Sequence, residues 1–164
     1  MDIKNALFEG ACHCGAIGYA YRTQVPPDAW SIRACQCSFC RSHAGVTTSD
    51  PRGSLEFFEH TAGALNRYRF ARRTADYLVC RNCGIYLGAI FTSARGRFGI
   101  VNVNAMKNRP AGLPAPEVKD YGTETPERRA ARREQRWTPV VGAVQDLPPS
   151  QADSGHDGPL RRPA

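Results

Sequence analysis

The seven cysteines of this 164-residue chain fall into three short clusters, and this clustering constrains the fold more than any other feature. The clusters are Cys12-His13-Cys14-Gly15, Cys35-Gln36-Cys37-Ser38-Phe39-Cys40 and Cys80-Arg81-Asn82-Cys83-Gly84. Such spacings suit metal ligation, because two thiolates must reach one ion at about 2.3 Å while the backbone turns tightly between them. A glycine after the second cysteine accepts a positive φ, which lets the loop fold back and direct amide hydrogens at sulfur. We therefore predict metal-binding cysteines, with zinc as the first choice for thiolate ligands.

Two other uses of the cysteines are less well supported by the sequence. Disulfides are disfavoured because the number of cysteines is odd and the first ten residues lack the apolar run of a secretory signal. Cys37 and Cys40 have the spacing of a redox pair, but such a pair belongs at a helix N-terminus in a βαβ unit. The flanking sequence shows no such unit.

Seven sulfurs cannot complete two sites of four ligands each. Four of them make one complete site, which we predict to hold a structural zinc: Cys12, Cys14, Cys80 and Cys83. The other three, Cys35, Cys37 and Cys40, leave a fourth position open, which is the pattern of a catalytic zinc. We thus expect two zinc ions per chain. One alternative stays open, since His43 lies three residues after Cys40 and would close the second site into an inert cluster.

The pattern of apolar residues predicts a mainly β fold. As far as residue 120, short apolar or alternating runs are separated by turn residues, which is typical of antiparallel strands. We predict strands near residues 17–22, 31–35, 55–60, 65–70, 76–79, 85–91 and 98–103, without an amphipathic helix between them. Thr125-Pro126-Glu127 then predicts the start of a short arginine-rich helix that runs to Arg136.

This pattern divides the chain into three parts. Residues 1–120 form a zinc-binding domain, and residues 121–143 form a helix and a stem that pack on it through Trp137, Val140 and Val141. Residues 144–164 contain many Pro, Gly and Ser residues but only two leucines, so we predict a disordered tail.

Composition and charge indicate what kind of protein this is and what kinds of partner it could bind. Hydrophobic residues make up 41% of the chain, and no apolar stretch approaches the ~20 residues of a membrane span. We expect a cytoplasmic globular protein. The net charge of +7 comes mostly from arginine, whose side chain binds carboxylate and phosphate groups well. The sequence is therefore compatible with either an anionic ligand or a nucleic acid as partner. Arginines of the C-terminal helix repeat at i and i+4, which favours either an acidic partner or a solvated face backed by Glu124 and Glu127.

The three cysteine motifs, together with Arg41, Gly45 and Val101-Asn102-Val103-Asn104, resemble the glutathione-dependent formaldehyde-activating enzyme family, which also includes centromere protein V. The resemblance covers about residues 10–110, and all seven cysteines match the motifs of the family in order and spacing. It implies an Mss4-like fold of antiparallel sheets with one structural and one catalytic zinc.

The resemblance also implies an activity. It implies a carbon–sulfur lyase that forms S-hydroxymethylglutathione from glutathione and formaldehyde, with the thiol at the open position of the zinc held by Cys35, Cys37 and Cys40. An arginine-rich rim would assist glutathione, which carries two carboxylates, and the candidates are Arg33, Arg41, Arg67 and Arg69. The alternative is a non-enzymatic zinc-folded module that binds nucleic acid or an acidic protein through its basic body and the helix at residues 126–136.

Overall fold

The computed structural model describes residues 5–142, and the predicted tail at residues 144–164 therefore lies outside the described residues. Within residues 5–142 the chain forms eleven strands and two α-helices. The strands are β1 Ala6–Ala11, β2 Ile17–Thr23, β3 Arg33–Cys35, β4 Val46–Thr48, β5 Ser54–Glu59, β6 Leu65–Tyr68, β7 Ala75–Cys80, β8 Tyr86–Ser93, β9 Gly96–Asn102, β10 Glu117–Lys119 and β11 Thr138–Val141. The helices are α1 Ser38–Ser42 and α2 Pro126–Arg136. Neither helix has the length and apolar character that a membrane crossing requires.

The strands join into one extensive sheet. Eight of them follow the order β1-β2-β5-β11-β9-β4-β3-β10, while β8, β7 and β6 extend in turn from β9. Nearly all pairings are antiparallel, and the two parallel pairs are β3 with β10 and β5 with β11. The mainly β fold with a short C-terminal helix is thereby confirmed.

All seven predicted strands are present with shifted ends, but four further strands and α1 were not predicted. β4 and β10 have three residues each, and α1 has five, which is too short for a periodic pattern to emerge. β11 was missed because it contains Pro139, and proline within an apolar run argues against a strand. β1 is an edge strand in which only Gly10 is buried, so its apolar residues do not form a clear core face.

The C-terminal segment contributes a strand to the middle of the sheet. β11 runs parallel to β5, with Val140 opposite Leu55, and antiparallel to β9, with Thr138 opposite Gly99. A side chain at Gly99 would collide with Leu55 and Val140, since a Cβ there would lie 2.9 Å from each. The segment after α2 is therefore part of the core sheet, and it fixes where α2 lies.

The helix α2 begins as the sequence predicts. Thr125 is the N-cap, and its side chain accepts a hydrogen bond from the backbone N–H of Arg128 at 3.3 Å. At the other end the buried Trp137 closes the helix, and its N–H donates to the carbonyl of Arg133 at 2.9 Å.

A buried ion-pair cluster joins β6 and β7. Asp76 lies on β7 and accepts hydrogen bonds from Arg67 and Arg69, with the shortest N–O distance to each at 2.5 Å. Burial by itself would raise the pKa of Asp76, but the two arginines outweigh it and hold the pKa below its usual value. The carboxylate is thus charged in the folded protein at neutral pH.

Replacing Asp76 with Asn should lower the free energy of unfolding by about 3 kcal/mol at pH 7, because the variant lacks the carboxylate that pairs with the buried guanidinium of Arg67. Since the folded-state pKa is lowered, the carboxylate stabilises the protein above its ordinary pKa of about 4, and this contribution is lost as the pH falls through the folded-state value. Urea unfolding of both proteins at several pH values measures the difference, which should shrink in acid. The exposed Asp28→Asn serves as the control, and an equal loss for both variants would contradict the assignment.

Candidate metal centres and the adjoining cavity

The structure brings the seven cysteines together in the two groups that their spacing predicts. The four-cysteine cluster contains Cys12, Cys14, Cys80 and Cys83, and the three-cysteine cluster contains Cys35, Cys37 and Cys40. In each cluster all sulfur atoms lie within 4.8 Å of one another. Among residues 5–142, no histidine, aspartate or glutamate joins either group.

The four-cysteine cluster is built from two loops with the same local geometry. The N–H of Gly15 donates to the carbonyl of Cys12 at 3.0 Å, and the N–H of Gly84 donates to that of Cys80 at 2.9 Å. The two glycines have φ values of +79° and +77°, so the predicted need for glycine after the second cysteine is confirmed.

Sulfur distances in this cluster suit a shared ion. Cys14 lies 3.6 Å from both Cys12 and Cys80, measured between Sγ atoms. Two thiolates bound to one tetrahedral ion at about 2.3 Å would lie roughly 3.8 Å apart. The N–H of Ile17 also points at the Sγ of Cys12, 3.4 Å away, as expected for a thiolate. The donor set therefore fits a zinc ion with four protein ligands.

A strand end and a single helical turn shape the three-cysteine cluster. Cys35 ends β3, Cys37 is the N-cap of α1, and Cys40 lies one turn further on. The Sγ of Cys37 accepts a hydrogen bond from the N–H of Cys40 at 3.4 Å. Hydrogen bonds from the thiols of Cys35 and Cys40 lower the pKa of Cys37 well below its usual value. Three sulfurs that converge in this way also fit zinc, with one position left for another ligand.

His43 lies beside this cluster but does not complete it. The residue is the C-cap of α1, and its ring stacks on Phe39 with the centroids 4.1 Å apart. Its Nδ1 lies 3.0 Å from the carbonyl oxygen of Phe39. In this arrangement His43 is part of the aromatic packing around α1, and the closed-site alternative has no geometric support.

The three-cysteine cluster forms part of the wall of a cavity of about 310 Å³. This volume lies at the lower end of the ~300–1,000 Å³ range of small-molecule sites. Apolar walls are provided by Phe70, Tyr77, Ile100 and Trp137. The charged lining consists of five arginines and one aspartate, namely Arg33, Arg72, Arg129, Arg132, Arg133 and Asp120. The cavity thus places an anion-attracting surface next to the cysteine sulfurs.

Only one of the four arginines proposed from the sequence lines this cavity. Arg33 does so, since it lies two residues before Cys35 on β3. Arg67 and Arg69 instead pair with Asp76, and Arg41 is exposed on α1 and does not line the cavity.

Arg72 and the three α2 arginines that line the cavity were not predicted from the sequence as site residues. The latter follow the i, i+3, i+4 spacing of one helix face, which was the available signal. One of the two interpretations of this helix was that its arginine face is exposed to solvent. This interpretation is wrong for the face that carries the three cavity arginines, because Arg133 is buried and Arg129 and Arg132 are half-buried.

Two of the α2 arginines are held by residues just before the helix. Arg132 makes a bidentate ion pair with Glu124 at 2.7 and 2.9 Å, and its guanidinium carbon lies 3.8 Å from the centroid of the Tyr121 ring. Arg129 donates to the carbonyl of Tyr121 at 2.7 Å. These contacts anchor the helix to a loop that lines the cavity.

Two further arginines of the cavity, Arg33 and Arg133, are deeply buried. Arg133 donates to the hydroxyl of Thr74 at 2.8 Å, and Arg33 donates to the hydroxyl of Ser49 at 2.6 Å. Burial lowers the pKa of Arg133 to about 10 and also lowers the pKa of Arg33. A guanidinium is still charged at neutral pH under these conditions.

Tyr86 packs beneath the three-cysteine cluster, against Phe39 and Cys40. Its hydroxyl is buried and has no hydrogen-bond partner within residues 5–142. Burial is the main cause of a raised pKa, so the hydroxyl stays protonated. The contrast is Tyr19, whose buried hydroxyl donates to the carbonyl of Asn102 at 2.9 Å.

The chain is similar to one protein family and to a solved structure. The model of a family described as glutathione-dependent formaldehyde-activating enzyme matches residues 7–123. A crystal structure of a Rhodobacter sphaeroides protein is similar, with 29% sequence identity and a TM-score of 0.50, over 68% of this chain and 99% of that one. No curated protein sequence matches this chain. Helix α2 and strand β11 lie beyond the stretch that the family model matches.

Tyr86→Phe should raise the free energy of unfolding by about 1 kcal/mol or more, because it removes a buried hydroxyl that lacks a partner. Tyr19→Phe is the matched control and should lower the free energy by about 1 kcal/mol, since it removes a buried hydrogen bond. Denaturant unfolding of the purified full chain measures both. A loss of stability in both variants would show that the Tyr86 hydroxyl has an acceptor after all.

Proposed function

Because the chain belongs to the glutathione-dependent formaldehyde-activating enzyme family, we propose that it is a zinc-dependent enzyme of the carbon–sulfur lyase type, which combines glutathione or another small thiol with formaldehyde. One observation carries the proposal. Three cysteine sulfurs converge, with no fourth ligand from residues 5–142, in the wall of a cavity that is lined by arginines. Such a site offers a position for a thiol and charges for the carboxylates that glutathione carries.

The two cysteine clusters are proposed to have different roles. We assign a structural zinc to the four-cysteine cluster, because it links loops 66 residues apart in sequence and because Cys12 and Cys80 belong to the main core. Structural zinc sites contribute on the order of 10–16 kcal/mol of apparent binding free energy to small domains. We assign a catalytic zinc to Cys35, Cys37 and Cys40, because three protein ligands and an open position are typical of catalytic sites.

The reaction joins the thiol sulfur to the aldehyde carbon, while the carbonyl electron pair moves to oxygen and the thiol proton ends on that oxygen. A zinc ion at the three cysteines would favour the thiolate form of the incoming thiol. Phe70, Ile100 and Trp137 give the cavity an apolar wall beside the cysteines. Burial raises the pKa of Tyr77, which keeps its hydroxyl protonated, and we propose that this hydroxyl donates a hydrogen bond to the aldehyde oxygen.

The non-enzymatic alternative has less support. A nucleic acid or acidic protein would need an exposed basic face on α2, but Arg129, Arg132 and Arg133 line the cavity. Only Arg128 and Arg136 among the arginines of the helix are exposed. We also propose a cytoplasmic location, since clusters of free cysteines need a reducing compartment.

The metal assignment predicts about two zinc ions per purified chain. Cys37→Ser should keep about one zinc and the native circular dichroism spectrum, because the four-cysteine cluster remains complete. Cys83→Ser should unfold or aggregate, since it breaks the cluster that borders the core. Elemental analysis together with circular dichroism measures both properties, and Ser42→Ala on α1 is the control. If both cysteine variants unfold to the same extent, the open-site role fails.

The proposed reaction also predicts a rate effect without a shift in equilibrium. Exchange spectroscopy by NMR on glutathione and formaldehyde should show faster adduct formation with the enzyme, and no acceleration with Cys37→Ser. Tyr77→Phe should keep its zinc but lose about a hundredfold or more in rate, which is the lower end of the range for loss of a general acid. Arg128→Gln, at an exposed position of α2, should match the wild type. Equal exchange rates with and without the wild-type protein would refute the activity.

A further inference from the structure

We infer that Arg33 of β3 and Arg133 of α2 form a carboxylate-binding subsite in the cavity beside the three-cysteine cluster, so that the thiol substrate must carry a carboxylate. The inference rests on the proposed function, because that function places the sulfur of the substrate at the cysteines. It goes further by naming the residues that bind the carboxylate of the substrate, away from its sulfur.

The first reason is that both arginines are buried without forming an ion pair. Arg33 is 7% exposed and Arg133 is 5% exposed. Within residues 5–142, neither has a carboxylate oxygen within 4.0 Å, and the Nε atom of each has no hydrogen-bond partner. Buried charges in folded proteins are normally paired. Two unpaired guanidinium groups on one cavity therefore indicate that an anion binds between the elements that carry them.

The acidic residues near the cavity are already engaged. Asp120 lines the cavity but is exposed, and its carboxylate accepts the N–H of Gly122 at 2.8 Å. Glu124 is held by Arg132, and it lies 3.7 Å from Arg129. Glu124 also attracts Arg133, and Glu117, which lies opposite Arg33 and pairs with Lys119, attracts Arg33, but both act from beyond 4.0 Å. Among residues 5–142, no carboxylate therefore forms an ion pair with Arg33 or Arg133, and positive charge is left for a ligand.

The second reason is that the protein holds both side chains in place before any ligand binds. The guanidinium carbon of Arg133 lies 5.0 Å from the ring centroid of Trp137 and 5.2 Å from that of Phe91, within the range of a cation–π contact. Arg33 donates to Ser49, whose hydroxyl in turn donates to the carbonyl of Arg136 in α2. Because these side chains are already ordered, a bound carboxylate does not have to offset the loss of their rotamer entropy.

The third reason is the shape of the group that fits. The planar fork of a guanidinium matches the two oxygens of a carboxylate. The cavity of about 310 Å³ must also hold the carbon chain that connects this group to the sulfur. A small thiol with a carboxylate satisfies both requirements. Since α2 lies outside the matched residues 7–123, the family match does not include Arg133, and this part of the specificity is proposed for this chain alone.

The test uses S-methylglutathione, which has the carboxylates of glutathione but no free thiol. Calorimetric titration of the zinc-loaded full chain should show binding, and Arg33→Gln and Arg133→Gln should each weaken it by about tenfold or more, since charged hydrogen bonds are lost. Arg128→Gln on the exposed face of α2 should bind like the wild type. Unchanged affinity in the Arg33 and Arg133 variants overturns the inference.

Two further measurements are needed, one in case a glutamine variant fails to fold and one to test whether the site accepts other anions. Arg133→Lys keeps the charge but loses the fork, and it should fold and bind several-fold more weakly than the wild type; unchanged affinity would again overturn the subsite. Inorganic phosphate should compete with S-methylglutathione only weakly. Competition at an equal concentration would show a general anion site and overturn the carboxylate assignment.

A last comparison separates this inference from the proposed function. Adduct formation from 2-mercaptoethanol, a thiol without a carboxylate, should be accelerated far less than that from glutathione, and the arginine variants should remove this difference. If neither thiol is accelerated but S-methylglutathione still binds through the arginines, the proposed reaction fails and the subsite stands. If both thiols are accelerated equally in all variants, the reaction stands and the subsite fails.

Discussion

The convergence of Cys12 and Cys14 on Cys80 and Cys83 is the constraint on which the rest of the structure depends. It joins the turn between β1 and β2 to the turn between β7 and β8, which lie at distant points of the sheet. With these two hairpins held together, the residues of β2, β5 and β8 pack into one hydrophobic core. The sulfur–sulfur distances of 3.6 Å show that this junction is made by side chains packed as ligands would be, without a covalent bond between them.

The candidate site depends in turn on a second junction, between the middle and the end of the described chain. β3 and α1 carry the three cysteines, while α2 carries the arginines, and the two halves meet because β11 inserts between β5 and β9. Ser49, just after β4, connects them directly by bonding to Arg33 on one side and to the carbonyl of Arg136 on the other. The cavity is thus a product of tertiary structure, with its sulfur wall and its cationic wall supplied by separate segments.

This origin explains which features the sequence could predict. The division of the cysteines followed from local spacing, because each pair or trio is set by one turn of backbone. The start of α2 was equally local, since Thr125 and Pro126 act on the next three residues. The roles of individual arginines were not local. Arg67 and Arg69 form ion pairs with Asp76, which lies on the neighbouring strand β7. The alternating sequence of β6 does not indicate this partner. Arg133 has polar and charged neighbours in the sequence, as a surface residue would, and it is buried because Thr74 and Phe91, which are far away in sequence, pack against it.

The position of β11 has a consequence for how the protein forms in the cell. A strand near the end of the described chain lies between two strands that are made much earlier, so the ribosome releases β5 and β9 before their shared neighbour exists. Their exposed edges must wait for translation to reach residue 141, and unpaired edges of this kind invite association with other chains. By contrast, the last ligand of the four-cysteine cluster emerges well before that point. If this cluster binds a metal ion as proposed, it can do so while the sheet is still incomplete, and the ion would stabilise the earlier part of the chain before β11 is made.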